Sequence, residues 1–334
     1  MKKTIFIVDD SDLNLISMKR ALSATYNVLT MTSIETLKKM LASKMPAVII
    51  LDIQIPNEDG FEGLYWLKSS RSYSHIPVIF VTGEYDTTVE ERALSSGASE
   101  FIRKPVSPVV LLNRVNRVAE TESLILDRTH SLEQIKQGLI KSMAYMVESK
   151  DTVTGDHVGR VHAYCKILLT QMHHTGLYVS VINEDNIEHL ALSALLHDIG
   201  KVAIPDRILS KPDKLTTEEF DLMKTHTTAG ASIINSIIEN SNQAEFFEAS
   251  RLFALYHHEK WDGTGYPTGK RGYGIPLHGR VLAIVDVYDA LTSRRPYKEA
   301  MAPLEAMRLI HEQAGKHFDP MITQIFYENR ELFF

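Results

Sequence analysis

Thr4–Ile5–Phe6–Ile7–Val8–Asp9–Asp10 is a short apolar run that ends abruptly in two carboxylates. A strand that is apolar at successive positions points side chains of the same kind to both of its faces. It therefore belongs in a sheet that is covered on both sides. Working outward, comparable β-branched runs occupy residues 26–30, 47–51, 77–81 and 99–102. Between them, residues 13–23, 34–42, 61–69 and 87–96 carry helical periodicity. Five such alternations within about 120 residues predict a doubly wound α/β domain with a five-stranded parallel sheet, in which function sits at the carboxyl ends of the strands.

Those ends carry a consistent set of groups. Strand one ends in Asp9 and Asp10, strand three in Asp52 and strand four in Thr82, and strand five runs into Lys104–Pro105. Three carboxylates on one edge repel each other and suit a divalent cation such as Mg²⁺. A lysine and a hydroxyl nearby would hold phosphoryl oxygens, leaving one aspartate as a nucleophile for an acyl phosphate. A single aspartate at such a junction is more often a helix N-cap; the complete set with Lys-Pro is not explained that way. The stretch 1–121 resembles the receiver domain of bacterial response regulators. The resemblance implies Asp52 as phospho-acceptor, Asp9 and Asp10 with Asp52 as Mg²⁺ ligands, Thr82 and Lys104 as phosphoryl contacts, and Phe101 as the aromatic switch. The family's DxxMP pattern is met by Asp52–Ile53–Gln54–Ile55–Pro56, with Ile in place of Met.

Composition sets outer bounds. The 334 residues suggest two domains, and 44% hydrophobic with 23% charged residues is ample material for packed cores. A net charge of −6 argues against a surface built to coat DNA. The one cysteine, Cys165, excludes an internal disulfide and a thiolate-rich zinc site, so any metal must be held by His and carboxylate. Asp9 and Asp10 end the first apolar run too early for a signal-peptide core, and no run approaches the ~20 residues needed to span a bilayer. The expectation is a cytoplasmic protein that does not enter a membrane. No internal repeat or low-complexity segment is visible.

From about Ser107 the chain reads as helix, with no Pro or Gly until Gly138. Positions 111, 115, 118, 122, 125, 129, 132, 136, 139, 143 and 146 form an a/d series that is largely apolar, broken by Glu122, Thr129 and Lys136. Such a series fits a coiled-coil seam or an ordinary helix packed along one domain. Residues 122–141 are expected to be a helical linker between the first domain and a second one, 142–334.

The second half is mostly helical in pattern, with six to eight helices expected and apolar periodicity over 158–172, 187–199, 220–238, 280–292 and 303–314. Candidate ligands recur on different helices. His157 begins one, His197–Asp198 end another, His226 lies mid-helix, and Asp286 sits in an apolar run where burial costs it unless a cation is near. The adjacent pair His257–His258 precedes Glu259–Lys260–Trp261–Asp262–Gly263–Thr264–Gly265–Tyr266–Pro267, a turn with two glycines and a proline. Imidazole and carboxylate donors without thiolate suit Fe, Mn, Zn, Co or Ni.

His197–Asp198 with Lys201, together with HHExxDGxGYP, closely resembles the HD-GYP family of metal-dependent phosphodiesterases that hydrolyse cyclic di-GMP. The likeness covers residues 142–334, including Gly315–Lys316–His317–Phe318–Asp319–Pro320. It implies two transition-metal ions, Fe or Mn first among the candidates. One would be held by His157, His197, Asp198 and Asp286, and the second by His226, His257 and His258 with Asp198 as bridge. Lys201 would contact the scissile phosphate, and Arg295 and Lys298 the other phosphates of the dinucleotide. Some members carry a glutamate four residues before the first histidine, where it holds a third metal; Val153 stands there in this chain and cannot be a ligand. His226 is followed by Thr227 where many members have Pro.

The expectation is a response regulator whose output is a cyclic di-GMP phosphodiesterase, giving pGpG or going on to GMP. Its expected partners are a histidine kinase, the cyclic dinucleotide, diguanylate cyclase (GGDEF) proteins and a second copy of itself. Two rivals are a catalytically silent nucleotide- or partner-binding module and a hydrolase of another cyclic dinucleotide such as cyclic GMP-AMP. The intact ligand set disfavours the silent module.

Overall fold

In the computed structural model, β1 (Thr4–Val8) pairs in parallel with β2 (Asn27–Met31) on one side and β3 (Val48–Asp52) on the other. After β3 the chain forms a two-stranded ribbon, β4 (Gln54–Ile55) and β5 (Glu58–Asp59). It then re-enters the main sheet as β6 (Val78–Thr82), beside β3, and β7 (Glu100–Arg103) at the edge. The sheet is five-stranded and parallel, in the order β2-β1-β3-β6-β7. Its four later strands each begin one residue after the position expected from the sequence. The description covers residues 2–83, 87–150, 156–240, 244–294 and 299–334, so Val153, Arg295 and Lys298 lie outside it.

Alternation along each strand divides the sheet's side chains between two cores. Phe6, Val8, Ile49, Leu51 and Phe80 face α2 (Ile34–Leu41), α3 (Gly60–Ser69) and α4 (Thr87–Ser95). Ile5, Ile7, Ile50, Ile79 and Val81 face α1 (Asp12–Leu22) and the first turns of α5 (Pro108–Glu148). Both faces are thus buried, as the unbroken apolar runs require. The chain divides into two compact units, Met1–Leu132 and Glu133–Phe334, and the 41-residue α5 is continuous between them.

The second unit is all-helical among the described residues. It contains α6 (His157–His174), α7 (Ile187–Ala194), a 3₁₀ turn (Ile199–Ala203), α8 (Asp206–Leu209), α9 (Thr217–Lys224), α10 (His226–Glu239), α11 (Ala244–Tyr256), α12 (Leu277–Thr292), α13 (Pro303–Glu312) and α14 (Pro320–Glu328). That is more helices than the six to eight expected. The apolar stretch 220–238 breaks at Thr225 into α9 and α10, so His226 opens a helix and does not lie within one. The core is built from α6, α7, α11, α12, α13 and α14 with the last turns of α5, and Val281, Leu282, Ile284 and Val285 of α12 are wholly buried.

Candidate functional site

Five helix ends and one helix interior bring the predicted ligands together. His157 is the first residue of α6, whose N-cap Asp156 accepts from the Gly159 N–H and from the Tyr145 hydroxyl. His197 and Asp198 lie in the turn between α7 and the 3₁₀ helix. That turn can approach α10 because Gly200 has no side chain: a Cβ there would lie 1.9 Å from the His226 carbonyl oxygen and 2.4 Å from the Gly230 nitrogen. His257 and His258 follow the end of α11, and Asp286 projects from α12. Ligand atoms of His226, His257 and His258 fall within 4.8 Å of one another, as do those of His157, His197 and Asp286. Asp198 stands among them, with Oδ1 3.5 Å from His226 Nε2 and 3.8 Å from His257 Nε2, and Oδ2 3.4 Å from His197 Nε2. The Lys201 ammonium pairs with Asp198 Oδ2 at 2.8 Å.

The hydrogen bonds fix the tautomers. A carbonyl only accepts, so Nδ1 of His226 donates to Met223 O (2.7 Å), and Nδ1 of His257 to Phe253 and Ala254 O (both 3.0 Å). In a neutral ring the lone pair is then on Nε2, and these two Nε2 atoms face each other at 3.3 Å. Two lone pairs at that distance repel, and a cation between or beside them removes the conflict. Burial pushes the pKa of His226 down, that of His257 well down and that of His258 to about 4, which keeps all three rings neutral near pH 7. Burial also acts on His197, but the neighbouring Asp198 outweighs it and raises its pKa. For Asp198, Lys201 and His197 outweigh burial and hold the carboxyl well below its usual range. His197 Nε2 and Asp198 Oδ1 are buried and make no hydrogen bond among the described residues. Unpartnered buried donor atoms of this chemistry, with no thiolate, fit a pair of borderline divalent ions.

Two further residues contribute, Asp289 and the motif's Glu259, to neither of which the sequence reading gave a role. Asp289 is 1% exposed. It accepts from His157 Nδ1 at 2.7 Å and from Arg160 Nε and Nη2 at 2.5 and 3.2 Å. Its position three residues after Asp286 on α12 was a visible hint, since i and i+3 share a helix face. Glu259 is also buried, and its Oε1 accepts from both the Thr268 N–H and hydroxyl at 2.7 and 2.6 Å, closing the glycine-rich turn on itself. That turn is tied to the C-terminal segment by Trp261 N–H to His317 O and Asp262 N–H to Lys316 O. It lays the Tyr266 ring over His258, with centroids 4.7 Å apart.

The strand ends of the first unit form their own site. Ligand oxygens of Asp9, Asp10 and Asp52 lie within 4.8 Å of one another. The Lys104 ammonium pairs with Asp9 Oδ2 at 2.8 Å and Asp52 Oδ2 at 2.5 Å. Asp9 also accepts from Ser11 N–H and Asn14. Burial raises the pKa of Asp52, opposed by Lys104 and reinforced by Asp9. Thr82 ends β6 fully buried, and Phe101 on β7 is 5% exposed.

A two-domain signalling protein is the class these features define: an acidic doubly wound α/β unit followed by a helical unit with a histidine and carboxylate cage. Residues 5–116 match the response regulator receiver domain, and residues 142–322 match the HD domain. The chain belongs to the HD-domain family, a class of metal-dependent hydrolases, with a receiver domain preceding the HD domain. It is 36% identical over 340 residues to a Vibrio cholerae protein named probable cyclic di-GMP phosphodiesterase, covering 97% of this chain and 77% of that one. It is 34% identical over 293 residues to the cyclic di-GMP phosphodiesterase response regulator RpfG of Xanthomonas campestris pv. campestris, covering 85% and 75%. A third relative, 32% identical over 267 residues and covering 80% and 48%, is the 3'3'-cGAMP-specific phosphodiesterase 2 of Vibrio cholerae. No helix among the described residues is long and apolar enough to cross a membrane.

Proposed function

We propose that this chain is a phosphorylation-regulated, metal-dependent phosphodiesterase that hydrolyses cyclic di-GMP to pGpG, with GMP as a further product. The observation that carries the reading is the pair of Nε2 lone pairs facing each other at 3.3 Å beside the half-buried Asp198. His157, His197 and Asp286 would hold one ion, and His226, His257 and His258 the other, with Asp198 shared; Fe or Mn are favoured, ahead of Zn, Co or Ni. When bound, such a pair of ions supplies Lewis acidity toward the phosphodiester and lowers the pKa of water.

The chain's own residues do the rest. Lys201, held by Asp198, offers its ammonium to a phosphate oxygen and stabilises charge that grows there. The Glu259–Thr268 clamp keeps the turn and Tyr266 in place over His258. Arg295 and Lys298 are assigned to the flanking phosphates. In the receiver, Asp52 would accept a phosphoryl group from a histidine kinase, with Mg²⁺ held by Asp9, Asp10 and Asp52. Thr82 and Lys104 would contact its oxygens, and Phe101 would respond as the switch. A homodimer is supported by Ile125, Leu132, Leu139 and Met146 of α5, which recur every seven residues and are each more than half exposed. Diguanylate cyclase proteins remain proposed partners. Because one relative is named for cyclic GMP-AMP, that dinucleotide is the second substrate to test.

The test is anaerobic incubation of Fe- or Mn-loaded protein with a panel of cyclic dinucleotides, with chromatography of the products. Cyclic di-GMP should be opened first. No turnover with any dinucleotide would favour a silent binding module. With Val153 where a third metal's glutamate would stand, metal analysis should find two ions per chain; three fully occupied sites would overturn that stoichiometry.

A further inference from the structure

The cage histidines are not held alike. His197, His226 and His257 each follow a helical turn, so a main-chain carbonyl three or four residues back accepts their Nδ1–H, in most cases alongside a main-chain N–H: Ala194 O at 2.8 Å, Met223 O at 2.7 Å, and Phe253 and Ala254 O at 3.0 Å. His157 is the first residue of α6 and has no preceding turn to supply a carbonyl. Its Nδ1–H goes instead to a side chain on another helix, the fully buried carboxylate of Asp289. Arg160, one turn along from His157, grips both oxygens of that carboxylate, which fixes its rotamer and balances its charge.

A carboxylate draws the Nδ1 proton more strongly than an amide carbonyl does, and so concentrates electron density on Nε2 and makes it a better donor. We propose that Asp289 is a positioning residue that makes His157 a stronger imidazole donor than His197, His226 or His257, so that the ion held by His157, His197 and Asp286 binds the more tightly of the two. The inference rests on the metal-holding reading above. It adds an order to the two sites: the His157 group fills first, and the His226–His257–His258 group is the exchangeable one.

The full-length chain, stripped and reloaded anaerobically with Mn²⁺ against a chromophoric chelator, tests this directly. Wild type should bind two ions in two resolved steps. Asp289→Asn, nearly isosteric, should weaken one step by about ten- to a hundredfold and leave the other unchanged, and the retained ion reports that the helical unit is folded. Anomalous diffraction of that variant should show the deficit beside His157 and full occupancy beside His226. Asp289→Glu, which keeps the charge, should recover part of the loss. Equal weakening of both steps, or two unchanged steps, would overturn the proposal. A wild type that binds no ion at either group overturns the metal reading and the inference with it. If Asp289→Asn does not fold, nitrogen-detected NMR of the Zn-loaded wild type decides. The Nδ1 proton of His157 should resonate downfield of those of His197, His226 and His257, and coincident shifts would refute the proposal.

Discussion

The acidic pocket and the histidine cage are both built from groups that repel one another, and they differ in what offsets the repulsion. In the pocket the chain supplies its own cation: Lys104 lies 2.8 Å from Asp9 and 2.5 Å from Asp52. One ammonium among three carboxylates offsets part of the repulsion before any ion or phosphoryl group arrives, which suits an occupant that comes and goes. In the cage, Lys201 reaches Asp198, while the facing Nε2 atoms of His226 and His257 are left to each other. A site of that kind is completed by a resident ion. The contrast separates a switch from a catalyst on grounds of local charge.

The largest effect that would break this contrast is at Asp198. Asp198→Ala removes the carboxylate among three imidazoles and the partner of Lys201, so hydrolysis should fall by at least about a thousandfold while the helical circular dichroism persists. Near-normal turnover and metal content in the purified variant would mean that the cage does not depend on a shared carboxylate. In the other unit, Asp52→Asn should abolish labelling by acetyl phosphate with metal content in the helical unit unchanged. Labelling at the wild-type level would remove Asp52 as acceptor.

Gly200→Ala sharpens the contrast by acting on the cage's scaffold without replacing a ligand side chain. The added methyl would meet the His226 carbonyl at 1.9 Å and the Gly230 backbone at 2.4 Å, main-chain atoms that have no rotamer to yield. A loss of about 3 kcal/mol or more is expected in the helical unit, read by denaturant unfolding, together with weaker metal binding. Acyl-phosphate labelling of the receiver should not change.

The two units were not equally legible in the sequence. Strand runs that are apolar on both faces and end in Asp, Thr or Lys gave the sheet to within a residue, because period and chemistry change at the same point. In the helical unit a continuous apolar period ran through Thr225, where the chain turns, since periodicity does not register a break that keeps the same face buried. The a/d series of α5 has the expected period but two different environments. Leu111, Val115 and Val118 are buried against the sheet, whereas Ile125, Leu132, Leu139 and Met146 are exposed. Motif spacing picked out the side chains that converge in the cage but not Asp289, whose contacts arise only where α6 and α12 meet.

The smallest effect concerns a histidine outside the cage, and it separates burial from metal binding. His278 packs edge-on against Phe253, with ring centroids 5.0 Å apart. Burial, only partly countered by Glu248 and reinforced by Arg280, pushes its pKa down to about 4. Its unfolded value is about 6.5, so as pH falls below that the unfolded chain takes up a proton that the folded chain refuses. The contribution is therefore complete above about pH 6.5, is lost as pH falls toward 4, and levels off below. A shift of that size corresponds to at most about 3 kcal/mol, and partial solvent exposure of the ring reduces the expected effect to about 1–2 kcal/mol. In metal-loaded protein the cage histidines are shielded from protons by their ions, whereas His278 is not. Unfolding free energies measured from pH 7 to 4 should thus fall less steeply in His278→Phe than in wild type, by about that amount. Identical slopes would mean that burial of His278 adds nothing to the acid sensitivity of the helical unit.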